Sequence, residues 1–240
     1  MKYFNILILL FFLSACGGSG GGNSPSSGSS SLVPKQLNLR IPKTGDKYEY
    51  KYTMNYNSTN TIISRTGDMV KEYINQKTNL KGVTCDVFKV TITFGHPSEK
   101  VTITSIGLTF TDETGRYNCG FYDADSGQYV FIDNDNGLIK IANNPMTPGD
   151  ILTPMVTYND GTWSDCTLSY SSQNTISVDA GNFEAFGVSN NCSESDGSTS
   201  IHTSFIDPKL GALLKDDVEI NYDDGSSMNI KIELTDYTLI

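Results

Sequence analysis

Two histidines, five cysteines and 27 acidic residues are the groups from which this 240-residue chain would have to build hydrolysis, metal binding or nucleophilic catalysis. His96 precedes Pro97 in a turn-like stretch, and His202 lies between Ile201 and Thr203 in a strand-like one. Both are expected at the surface, and both lie too far from any cysteine pair in sequence to complete a zinc site. No C-x-x-C is present. Asp133-Asn134-Asp135-Asn136-Gly137 sets oxygens at alternate positions, the pattern a calcium ion needs, and Asp123-Ala124-Asp125-Ser126-Gly127 is alike. The glycine comes one place early for a calcium loop, and Asn144 stands where a bidentate Glu belongs. Asp, Asn and Gly are also the residues of tight turns, and that reading is preferred. Paired carboxylates would serve glycoside hydrolysis, but no spacing singles out two of the acids. The chain is therefore read as non-enzymatic, with no metal and no cofactor.

Cys16 is the exception. Lys2 supplies a positive charge, Ile6 to Leu13 is an unbroken apolar run, and Leu13-Ser14-Ala15-Cys16 follows. An apolar run of this length suits a signal segment and is too short to span a bilayer. The four residues resemble the lipobox of bacterial lipoproteins. The resemblance implies lipid transfer to the Cys16 thiol, cleavage of residues 1–15 and acylation of the new amino group. Gly17, where an Asp would retain such a protein at the inner membrane, points to the outer membrane. Thirteen of the fifteen residues from 17 to 31 are Gly or Ser. Residues 16–32 are read as the lipidated cysteine and a flexible tether spanning roughly 20 Å. Gly17-Gly18-Ser19-Gly20-Gly21 matches a hydrolase nucleophile pattern, but no strand precedes it and no helix follows.

The charges sum to −10, which argues against nucleic acid, whose phosphates attract basic surfaces. Beyond residue 33 the pattern is β. Phe88, Val90, Ile92 and Phe94 alternate with polar residues, as do Val218, Ile220 and Tyr222, and Met228, Ile230, Ile232 and Leu234. Period-two alternation means a sheet with one wet face. Asp223-Asp224-Gly225-Ser226 makes Val218–Leu234 a hairpin. Further strands are expected at 47–54, 68–76, 83–94, 100–110, 115–122, 128–133, 137–142, 162–170, 174–179, 182–190 and 200–206. No amphipathic helix stands out in 33–240. The expected fold is all-β and mainly antiparallel, a single domain over 33–240. Its apolar face must be covered by curling, by closing as a β-sandwich, or by a guest.

Cys85, Cys119, Cys166 and Cys192 remain, an even number suited to an oxidising compartment. Four cysteines allow three connectivities. Each half of the domain holds two on strand-like segments, which favours Cys85–Cys119 and Cys166–Cys192.

Four segments resemble a family of secreted bacterial lipoproteins with domains of unknown function. Pro42, Gly45, Tyr48 and Tyr50 match their opening, with Tyr48 where Trp is usual. Val178 to Phe183, with Gly181 and Phe183, matches a later step, and Phe205, Pro208 and Gly211 match the turn that follows. Leu234-Thr235-Asp236-Tyr237 matches their close. Some of these proteins are similar to the half-barrel of the lipoprotein carriers LolA and LolB. The resemblance implies a strongly curved sheet or half-barrel whose apolar face takes a lipid or an acylated protein. These motif residues are turns and strand starts, hence architecture. Pro145-Met146-Thr147-Pro148-Gly149-Asp150 echoes Pro42 to Asp46, which hints at two similar lobes, about 38–142 and 143–240. The expected protein is a non-catalytic outer-membrane lipoprotein, held to the membrane by its lipid and binding a hydrophobic ligand or a protein partner. The alternatives are an adhesion or envelope-structural module using the 13 Tyr and 11 Phe, and a hydrolase with unidentified acids.

Overall fold

The computed structural model describes residues 37–95, 100–134 and 137–240. The signal segment, Cys16 and the Gly/Ser-rich stretch lie outside the described residues, as do His96 and Asp135. The strands are β1 (Lys47–Ser58), β2 (Thr61–Thr78), β3 (Thr84–Phe94), β4 (Val101–Thr111), β5 (Gly115–Asp123), β6 (Gln128–Phe131) and β7 (Ile139–Asn143). They continue with β8 (Ile151–Leu152), β9 (Met155–Thr157), β10 (Trp163–Val178), β11 (Gly181–Glu194), β12 (Thr199–Asp207), β13 (Ala212–Asn221) and β14 (Ser227–Thr238). No helix occurs among the described residues.

All fourteen strands belong to one antiparallel sheet, ordered β6-β5-β4-β3-β2-β1-β14-β13-β12-β11-β10-β8, with β7 also on β5 and β9 also on β10. Chain neighbours are sheet neighbours along that order except at β1–β14, which joins the two halves, and at the short β10–β8 pairing at one end. The sheet is strongly curved and does not close by a continuous ladder. Its two ends meet at an isolated bridge between Ile132 and Tyr158. Asp133 N donates to Thr157 O at 2.8 Å beside it, and Asn159 N donates to Phe131 O at 3.1 Å.

The alternation read from the sequence sets the inner face. Phe88, Val90, Ile92, Val218, Ile220, Met228, Ile230, Ile232 and Leu234 are buried, with Phe94 and Tyr222 half-buried at the margin. Tyr48, Tyr50 and Tyr52 of β1 and Phe186 and Val188 of β11 complete one core that both halves line. The inner face is thus filled by the protein's own side chains. A second cluster of Val87, Leu108, Phe131 and Leu138 surrounds the disulfide between Cys85 and Cys119. Cys166 and Cys192 sit opposite each other on β10 and β11 and form the other disulfide.

Several boundaries differ from expectation. Segments 162–170 and 174–179 are one strand, β10, because a bulge between Tyr170 and Gln173 absorbs the break in alternation. Gly67, the residue before the expected strand 68–76, lies inside β2. A Cβ there would stand 2.1 Å from the Thr93 carbonyl oxygen, so glycine is what lets β3 approach. The short β8 and β9 were not expected at all.

Candidate functional site

The segments that carry the family resemblance converge at one end of the sheet. Before β1 the chain runs as a strap between the halves. Leu37 pairs with Met146, Leu39 N donates to Asn144 Oδ1 at 2.9 Å, and Arg40 N donates to Pro208 O at 3.0 Å. Leu37 and Leu39 are buried, which fixes the strap's depth. Gly45, at φ +95°, turns the strap into β1 and donates to Tyr73 O at 2.7 Å.

Asp46 locks this turn. Its carboxylate has no exposed surface and is held by both terminal nitrogens of Arg40, with Nη2 at 2.8 Å from Oδ1. Lys43 N donates to it at 2.8 Å and Ile240 N at 3.0 Å. Burial pushes the Asp46 carboxyl up, but Arg40 and the two backbone donors more than reverse this, and it stays below the usual carboxylate range. Burial likewise opposes the Arg40 charge, and Asp46 with Tyr48 raises its pKa above the ordinary value. Tyr48 donates its hydroxyl to Leu210 O at 3.2 Å, and burial raises its pKa strongly. Beneath them lies Arg116 of β5, 1% exposed. Its Nε donates to Thr111 Oγ1 at 2.8 Å and its Nη2 to Arg40 O at 3.0 Å. Arg116 Nη1 finds no hydrogen-bond partner among the described residues.

The other motifs serve the same end. Asp207 Oδ1 accepts from Lys209 N at 2.7 Å and Leu210 N at 3.1 Å, and Gly211 completes the turn at φ +81°. Phe205, Pro208 and Gly211 belong to that turn and the strand end before it. Gly181 makes the β10–β11 turn, and the Phe183 ring meets the Tyr237 ring edge-on, 6.1 Å between centroids. Asp179 at that turn pairs with Lys51 of β1. Thr44 and Pro42 belong to the strap, and Tyr50 is buried in the core.

An open cavity of about 700 Å³ is left at this seam. Leu39, Ile41, Leu239 and Ile240 give it apolar walls; Arg40, Lys43, Lys209, Asp112, Glu113 and Asn144 give it polar ones. A cavity of a few hundred cubic ångströms or more suits a small-molecule or acyl-chain guest.

His202 and the four disulfide cysteines do not line this cavity. His202 is buried, against expectation, with Nδ1 3.5 Å from Asp216 Oδ2. Ser204 donates to the other oxygen of Asp216 at 2.7 Å. The carboxylate therefore stands between hydroxyl and imidazole, and the histidine is not placed to take the serine proton. Among the described residues no group of three or more His, Cys, Asp or Glu is arranged to hold a metal. In the calcium-like stretch, Asn134 bonds both backbone groups of Leu138 and Gly137 closes the turn at φ +68°. Asn144, at the place of a bidentate ligand, instead accepts from Leu39 N and donates to Asp112 O at 2.7 Å. Asp123 accepts from Asp125 N and Ser126 N, a hairpin turn.

No family model matches the chain, and no curated protein matches it. Two solved structures are similar. One is described as a lipoprotein candidate from Parabacteroides distasonis, 13% identical, covering 82% of this chain and 97% of that one with a TM-score of 0.39. The other is an exported-protein candidate with a YmcC-like fold from Bacteroides fragilis, 10% identical, covering 84% of this chain and 100% of that one at 0.38.

Proposed function

We propose that this chain is a non-enzymatic cell-envelope lipoprotein, anchored through Cys16 to the outer membrane, whose β domain binds a hydrophobic or acyl-bearing ligand at the seam cavity. The observation that carries the reading is the cavity itself. It lies where the strap, the β12–β13 turn and the end of β14 converge, and its walls pair exposed aliphatic side chains with cationic ones. On the inner face Val218, Ile230 and Phe186 have essentially no exposed surface, which supports a guest site at the rim.

Native mass spectrometry of the acylated protein, extracted in mild detergent, tests this. Co-purifying lipid, displaced by free fatty acid and lost in Ile41→Glu, is the expected result. A bare protein that also fails to bind a hydrophobic fluorescent probe overturns the ligand reading. An exposed stripe of Ile151, Met155 and Trp163 on the β8–β10 edge favours a second reading, a protein-contact module in the envelope. Such a module would bind no lipid and would lose its partner on Trp163→Ala.

A further inference from the structure

We propose that the cavity rim is the face on which the domain rests against the lipid surface, so that the cavity opens toward the bilayer. This rests on the reading that Cys16 carries the lipid anchor, and it adds an orientation that the reading does not contain.

Three observations point to a lipid surface as the occupant. Ile41, Leu239 and Ile240 are 56%, 36% and 64% exposed and line one cavity. Aliphatic side chains so exposed around a shared opening are an interaction surface. Next, the rim is spared the acidity of the rest of the chain. Lys43 and Lys209 are exposed there and balance Asp112 and Glu113, while Arg40 is paired with Asp46, so this face is near neutral although the chain as a whole carries −10 and repels anionic headgroups least here. Lysine stems lie along apolar surface while their amines reach phosphate, the arrangement of interfacial segments. Finally, the chain enters the described residues at Leu37, on the strap that builds this rim, and Leu37 follows Cys16 by 21 residues. Covalent geometry alone keeps Leu37 within roughly 70 Å of the acylated cysteine.

Each aliphatic contact is weak by itself. Tethering makes the encounter intramolecular, and a weak surface then suffices because the local concentration of bilayer is high. The far end of the sheet has a different character and a built-in reporter. The chain's single tryptophan, Trp163, accepts a hydrogen bond from Ser195 beside the start of β12, whereas Lys209 follows the end of β12. The nine residues of that strand set the two ends apart by about 25–30 Å.

The test uses full-length acylated protein in vesicles of phosphatidylethanolamine and phosphatidylglycerol with brominated acyl chains. Ile41→Trp and Ile240→Trp are each placed in a Trp163→Phe background, and wild type reports Trp163. The expected result is loss of emission at positions 41 and 240 and none at 163. The inference is overturned if neither rim position is quenched, or if Trp163 is quenched as much as they are. Fatty-acid labelling of the same preparation reads the anchor separately. Label with an unquenched rim overturns the orientation alone; absence of label overturns the anchored reading and the orientation with it.

Discussion

Arg40 and Asp46, six residues apart, close a charged turn whose carboxylate is wholly buried and whose guanidinium is nearly so. The pair ties the strap to β1, and Ile240 N adds the segment that follows the last strand to the same carboxylate. Removing one partner of a buried pair costs more than the pair contributes, because the other charge is left without its counter-ion. Asp46→Ala should therefore cost about 3 kcal/mol in chemical denaturation. Asp46→Asn should cost less, since its single amide oxygen still accepts from one of the two backbone donors, Lys43 N or Ile240 N, which use different oxygens of the carboxylate. The lowered Asp46 pKa contributes stability that is whole at neutral pH and disappears as pH falls below about 4. An acid limb unchanged in Asp46→Asn would show that the clamp contributes nothing.

Glu194 runs the opposite way. Burial raises its carboxyl to about 7, with Ser164 and His202 pulling it down and Asp196 pushing it up. The folded protein thus keeps a proton that the unfolded chain has lost above roughly pH 4.5. Stability from this group is present below that pH and declines as pH rises toward 7, by on the order of 2 kcal/mol. Glu194→Gln should flatten the decline between pH 5 and pH 8. Equal slopes for variant and wild type would sink the assignment.

Cysteine mapping gives a covalent check. Non-reducing peptide maps should show Cys85 joined to Cys119 and Cys166 joined to Cys192. With sequence separations of 34 and 26, each crosslink should stabilise by roughly 3 kcal/mol in the chain-entropy model. Replacing both members of either pair with serine should lower the denaturation midpoint accordingly. A bridge between Cys85 and Cys192 would contradict the structure outright.

The anchor is tested on Cys16. Cys16→Ser should abolish fatty-acid labelling and release the protein from membranes. Continued partitioning with the outer membrane would remove the lipoprotein reading.

Much of the sheet was legible because alternation is a local signal. Met228 to Leu234 needed nothing but its own sequence to show which side chains point inward. β12 shows where the signal fails. Its inner face carries Ser200, His202 and Ser204, all buried, while Ile201 on the outer face is 46% exposed. Over residues 200–204 the strand's polarity is inverted, before Ile206 returns to the core, so a histidine flanked by an isoleucine read as a surface residue. Its burial is tolerated because Asp216, on the neighbouring strand, meets it. The seam was invisible for a related reason. Arg40, Asp46 and Arg116 lie in strap, turn and strand, and no periodicity relates them. The motif residues Pro42, Gly45, Pro208 and Gly211 sit in turns, and as turns they carried no hint of the cavity lined by their neighbours Ile41, Lys43 and Lys209.

The pairing of β1 with β14 also has a temporal meaning. Lys47 lies opposite Thr238, so the ladder at the centre of the sheet joins the earliest strand to the latest. Every other long ladder links chain neighbours and can zip as soon as both strands exist. This one must wait for nearly the whole domain to emerge, and its loop-closure cost falls due before any contact offsets it. During synthesis from the N-terminus, β1 therefore spends the longest time with one bare edge, presenting Tyr48, Tyr50 and Tyr52 to whatever binds nascent chains first.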